Sequence, residues 1–237
     1  MARKKTSVEE NVTKEKKEPL AKRLQTLDTL FEEMSAESGI VAGRPTVSKA
    51  VKNRMTFHYY PTPLPQFNEI TGGGIPVGHM GMFVGTEDSG KTSTALSIIA
   101  YNQKLDPDFV ALWIESEDSI DIQKAKDLFG LDLDRFYCIS TTDPKTKKQA
   151  FGAEAIGNAI IKAVQTTKIN FVVINSLKML VPMAETKKLL EEDTMAVQAR
   201  FNAKLTKKII PLFAQRGTSM IIIQHYTTNM NAGMYGN

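Results

Sequence analysis

Disulfide chemistry is excluded first. The 237-residue chain holds one cysteine, Cys138, and a lone thiol closes no internal bridge and suits a reducing compartment. It lies in the apolar run FYCIS (136–140), where a buried, inert thiol is expected. Long hydrophobic runs are missing too: no stretch approaches the ~18 apolar residues of a membrane-crossing helix. The opening residues, MARKKTSVEENVTKEKKEP, lack the apolar segment of a secretory signal. No internal repeat or low-complexity tract occurs. The expected setting is the cytoplasm, with no membrane partner.

The body of the chain also lacks an excess of charge of either sign. The formal net charge is +4, but residues 1–23 carry eight Lys/Arg against four Glu, which is the whole excess; the remaining 22 basic and 22 acidic residues cancel. The pI of about 9.0 therefore describes a tail and says little about a nucleic-acid groove on the core. Residues 1–18 are charge-rich and apolar-poor, which predicts a disordered tail. Elsewhere the 42% hydrophobic and 24% charged residues are an ordinary globular balance. The length suffices for one sizeable α/β domain with an appendage.

What is present is a regular alternation of patterns. Leu20, Leu24, Leu27 and Phe31 form a narrow apolar stripe in 19–36, which predicts a helix that needs a cover. Residues 37–67 are mixed, with several turn signals. Strands are expected at 79–85, 109–117, 135–140, 169–180 and 219–225. Helices are expected at 91–104, 119–130, 147–167 and 194–217, the second ended by Gly130 and the last capped by Thr194 and interrupted by Pro211. Strands alternating with helices imply an α/β fold with a mostly parallel sheet covered on both faces.

One short stretch carries specific chemistry. GTEDSGKTS spans Gly85, Thr86, Glu87, Asp88, Ser89, Gly90, Lys91, Thr92 and Ser93, after a strand and opening a helix. This is the spacing and setting of a P-loop. Backbone N–H groups wrap a phosphate only where side chains stay clear, hence the glycines. Lys91 supplies a positive charge to the β and γ phosphates, the Thr92 hydroxyl is a Mg²⁺ ligand, and the helix points its positive end at the anion. ATP with Mg²⁺ is the expected cofactor pair.

Turnover needs further groups. Glu115 and Glu117 are expected on one strand face, and Glu117, at the carboxyl end, is the candidate general base; the alternative is that these acids only solvate the strand end. The third long strand carries Asn175 at the position of a metal-side acid. An amide has an acceptor oxygen but no charge, so metal handling and hydrolysis are weakened more than binding. Gln224 and His225 close the last strand. They are either γ-phosphate sensors or a capped strand end.

Four stretches in order, GGGIPVGHMGMFVGTEDSGKTS, WIESED, VVINSLKMLVPMAE and IIPLFAQRGTSMIIIQHYTTNM, resemble the RecA/RadA recombinase family, and within it the phage UvsX type. The resemblance covers roughly residues 70–237. It implies a P-loop RecA-like core over 68–237, a linker over 37–67, and a helix at 19–36 that packs on an adjacent subunit. It implies an ATP-dependent, DNA-dependent ATPase that forms a helical filament on single-stranded DNA and exchanges strands with homologous duplex DNA. Lys187, Lys188 and Arg200 fall by position at the first DNA-binding loop, where an ordinary solvated loop is the alternative. The second loop begins at Tyr226, and the chain stops inside it. Asn175 departs from the family's aspartate. Asp121 and Lys124 lie near the base and ribose. A bacterial cell is implied, with a phage origin as one source. The competing readings are a ring-forming ATPase of the replicative-helicase or circadian-clock type and a nucleotide-held clamp with little hydrolysis.

Overall fold

The structure is a computed structural model that describes residues 19–117, 119–142, 151–177, 180–182 and 195–226. The basic tail, Lys187, Lys188, Thr194 and the segment beyond Tyr226 lie outside the described residues. The chain divides into two compact units, 1–57 and 58–237.

In the first unit, helix α1 (Leu20–Ser38) ends on Gly39 in the left-handed conformation, and none of its residues is buried. Leu20, Leu27 and Leu30 are all exposed. A short helix α2 (Lys49–Met55) follows. The Arg44 guanidinium pairs with the Asp28 carboxylate.

The second unit begins with two short strands, β1 (Tyr59–Tyr60) and β2 (Ile75–Pro76), paired antiparallel around helix α3 (Pro65–Thr71). Helices α2 and α3 fall where only turns and linker were read, because each has just seven residues, too few for an apolar period to stand out. Among the described residues five further strands follow: β3 (Met80–Gly85), β4 (Ala111–Glu115), β5 (Phe136–Ser140), β6 (Phe171–Asn175) and β7 (Ser219–His225). They form a parallel sheet in the order β3-β7-β6-β4-β5. Between them run α4 (Lys91–Leu105), α5 (Ile122–Phe129), α6 (Ala153–Thr166) and α7 (Met195–Arg216).

Period-two alternation splits the three central strands between two cores. Ala111, Trp113, Phe171, Val173, Ile221 and Ile223 face α4 and α5 with Ile98, Ile99 and Ala125. Leu112, Ile114, Val172, Ile174, Met220 and Ile222 face α6 and α7 with Ile156, Ile160, Ile209 and Phe213. Both faces are covered, as a parallel sheet requires.

Several expectations change. β6 stops at Asn175 rather than running to 180, and β4 stops at Glu115. α6 starts at Ala153, after Gly152 in an extended conformation. α7 runs unbroken through Pro211. Cys138 is exposed on β5, an edge strand among the described residues, where Phe136 joins one core and Ile139 packs on the other while Tyr137 and Cys138 stay open.

Candidate functional site

The chain crosses from β3 three places to β4 and on to β5, then returns through β6 and β7, so the crossovers from the neighbouring strands β4 and β6 leave in opposite directions. Such a switch leaves a crevice at the carboxyl ends of the strands. A cleft of about 860 Å³ opens there, lined by Glu87 through Ser93, Glu117, Ser176, Gln224 and His225, with Asp121, Lys124 and Phe129 at one end.

The phosphate loop joins β3 to α4, and its two glycines serve different ends. Gly90 caps α4 at φ 84°, a left-handed conformation that favours glycine. A Cβ on Gly85 would lie 2.6 Å from Ser89 Oγ, so a side chain there would make the Ser89 hydroxyl rotate away. Asp88 is also left-handed, at φ 56°, which a short polar residue tolerates. Lys91, 9% exposed, curls back into the loop. Its ammonium donates to Thr86 O at 2.6 Å and to Gly85 O at 3.2 Å. Gly85 O also accepts from Tyr226 N at 3.2 Å, so the segment after β7 starts against the phosphate loop.

The acidic groups separate. Because β4 ends at Glu115, the expected sharing of one strand face by Glu115 and Glu117 fails. Glu115 is 3% exposed and turned into the protein, while Glu117 lies in the turn beyond and lines the cleft. Glu117 Oε2 is 3.2 Å from His225 Nε2; with a carboxylate as partner, Nε2 carries the proton. His225 Nδ1 is buried with no partner among the described residues. Gln224, at the end of β7, also reaches the cleft.

Register brings Glu115 opposite Asn175 on neighbouring strands. Asn175 Nδ2 donates to Glu115 Oε2 at 3.2 Å and to Ser119 Oγ at 3.0 Å. Asn175 Oδ1 is then a buried acceptor with no partner among the described residues. The Thr92 hydroxyl lines the cleft and suits a hydrated Mg²⁺, which keeps several of its waters; Asn175 is fully buried behind the lining and would reach such an ion only through water. Among the described residues no group of three His, Cys, Asp or Glu could hold a metal by itself.

The remaining expected residues sit apart or serve locally. Arg200 is exposed on α7 and does not line the cleft. Asp121 lines it, but its carboxylate also caps α5 by accepting from Lys124 N at 2.9 Å. Cys138 is exposed rather than buried as expected, yet partial loss of solvent around the thiol, and then the nearby Glu115 charge, push its pKa up to about 11. Residue spacing did not show the role of Glu115. The pairing of Trp113 and Glu115 two apart on one strand is the only sequence signal that could have done so.

Residues 48–237 match the family model of the RecA N-terminal domain. The chain belongs to the RecA family. It is 35% identical to Protein RecA of Ureaplasma parvum serovar 3 over 171 residues, 72% of this chain and 47% of that protein. Protein RecA of Mesomycoplasma hyopneumoniae is 32% identical over 165 residues, 70% of this chain and 45% of the relative. For Protein RecA of Campylobacter fetus the figures are 29% over 164 residues, 69% and 44%. The chain thus spans just under half the length of these RecA relatives. No described helix is long and apolar enough to cross a membrane.

Proposed function

We propose that this RecA-family chain is the nucleotide-binding portion of an ATP-dependent recombinase, of the UvsX type, that assembles on single-stranded DNA. The observation that carries the reading is the convergence of Lys91, Thr92, Glu117, Gln224 and His225 on one cleft at the head of α4. ATP occupies the cleft with its β and γ phosphates in the loop, where backbone N–H groups, the Lys91 ammonium and the helix terminus meet the negative charge. Thr92, and Asn175 through water, would hold Mg²⁺, which would supply positive charge against the phosphates. Glu117 orients the attacking water and accepts its proton. His225 and Gln224, placed between Glu117 and the segment beyond Tyr226, couple the γ-phosphate to that segment.

DNA contacts come from Lys187, Lys188, Arg200 and the residues after Tyr226. Self-association through α1, whose apolar side chains are uncovered in its own unit, builds a helical filament. Base pairing with homologous duplex DNA, not the protein, then reads sequence. Three neutralised phosphates correspond to a slope of about −2 in log affinity against log salt for a single strand.

ATP turnover measured with and without single-stranded DNA tests this reading. DNA-stimulated turnover and a salt-dependent affinity are expected; turnover indifferent to DNA, with a flat salt response, refutes it. A second reading, a nucleotide-held clamp with little hydrolysis, is favoured by Asn175 and by the His225 contact that occupies Glu117 Oε2. It requires silence in the native chain and turnover in Asn175→Asp.

A further inference from the structure

A buried carboxylate needs a reason, and the proposed reaction does not use Glu115. The side chain is 3% exposed, and its partners among the described residues are all N–H donors. Trp113 Nε1 donates to Oε2 at 2.9 Å. Asn175 Nδ2 donates to the same oxygen at 3.2 Å. On the other oxygen, Glu117 N donates at 2.9 Å and Ser119 N at 3.4 Å. A carboxylate is acceptor-only and has about four lone-pair sites, so it satisfies this set with nothing left over for a ligand.

Two of those donors are backbone amides of the turn that carries Glu117. That turn begins where β4 ends and the sheet ladder stops supporting the chain. Its other fixed points are at Ser116, whose N donates to Asn175 O at 2.8 Å and whose Oγ donates to Asn175 O and Ser176 O at 2.9 Å. Glu115 therefore ties the base-bearing turn to the end of β4, and Asn175 holds the Glu115 carboxylate in place from β6. Asparagine is well suited to that task. Asn175→Asp would put a second carboxylate where the amide now lies 3.2 Å from the first, and two buried like charges at that distance cannot both ionise.

We infer that Glu115 is a positioning residue for the proposed ATP turnover: its carboxylate anchors the Glu117 turn through the Glu117 and Ser119 amides, and Asn175 and Trp113 orient it. The inference rests on the recombinase reading only for the identity of the reaction. Anchoring itself is a statement about two hydrogen bonds.

Glu115→Gln is nearly isosteric but replaces one acceptor oxygen by a donor. Its single oxygen cannot accept from the turn amides and from Trp113 and Asn175 at once, and the new NH₂ group opposes whichever donors it faces, so the hold on the turn amides is lost or weakened. The double variant Glu115→Gln/Asn175→Asp reverses that polarity, since the introduced carboxylate accepts from the introduced amide and from the Ser119 hydroxyl. Two measurements on the 237-residue chain decide the matter. Amide hydrogen exchange at Glu117 and Ser119 is expected to accelerate at least tenfold in Glu115→Gln while the β6 and β7 amides stay protected. Unchanged exchange overturns the anchoring. ATP turnover is expected to fall at least tenfold at constant ATP affinity, and to recover severalfold in the double variant. Unchanged turnover, or affinity and turnover falling together without rescue, overturns the positioning role. If the native chain hydrolyses no ATP, the recombinase reading fails, and the exchange measurement still accepts or rejects the anchoring.

Discussion

Lys91→Ala removes the ammonium that sits inside the phosphate loop, and its effect can be sized from the geometry. The group is 9% exposed and already donates to Thr86 O at 2.6 Å and Gly85 O at 3.2 Å. On nucleotide binding it exchanges those carbonyls for phosphate oxygens, so the gain is a difference between two hydrogen-bonded states. A hydrogen bond to a charged group nets about 1.5–3 kcal/mol, and two such contacts set the upper range. Independently, opposite unit charges 4 Å apart at an effective dielectric of 20 attract by about 4 kcal/mol. Two contacts amount to about 3–6 kcal/mol, the carbonyl bonds given up offset part of that, and the Coulomb figure of about 4 kcal/mol falls in the same range, so a loss of about 3–4 kcal/mol is expected. At 1.4 kcal/mol per decade that is roughly a 10²- to 10³-fold loss in ATP affinity. Titration with a fluorescent ATP analogue measures it, alongside a urea melt to show that the variant is folded. Affinity within threefold of the native chain, in a folded protein, refutes the placement of the triphosphate in this loop.

The other expectations are more briefly put. Glu117→Gln should leave ATP affinity within about twofold and cut turnover by about 10²- to 10⁴-fold, the usual weight of a general base; steady-state phosphate release checks it, and retained turnover moves the base elsewhere. Cys138 should resist alkylation at neutral pH despite its exposure. Its pKa, raised from 9.0 to about 11, cuts the thiolate fraction about 100-fold, and reactivity should rise with pH up to that value; rapid labelling at pH 7 contradicts the burial argument. Phe171→Ala should cost about 3–5 kcal/mol, because Phe171 is fully buried and packs on Tyr60 and Phe109; an unchanged urea midpoint would show that the site collapses without cost.

Glu115 and Glu117 show how far residue order carries the argument. The run WIESED places two acids at a strand end, and alternation along a continuing strand sends both to one face. The strand does not continue. Ser116 N still bonds to Asn175 O across the sheet, but the next amide, Glu117 N, turns back onto the Glu115 carboxylate and the chain leaves the ladder toward the cleft. One acid is thereby buried and the other exposed to ligand, a division that local pattern does not encode. The same holds for Asn175. Its departure from a family aspartate is readable, but its partner, Glu115, is 60 residues away and is found only through strand register.

The P-loop, the five parallel strands and their intervening helices were written in short-range order: glycine spacing, a lysine behind it, apolar runs of strand length. Such features depend on backbone sterics and burial within a few residues, so sequence alone determined them. The Glu117–His225 contact, the Glu115–Asn175 pair and the half-open environment of Cys138 belong to the tertiary structure. Each depends on which strands become neighbours and in what register, and only packing of the whole sheet decides that.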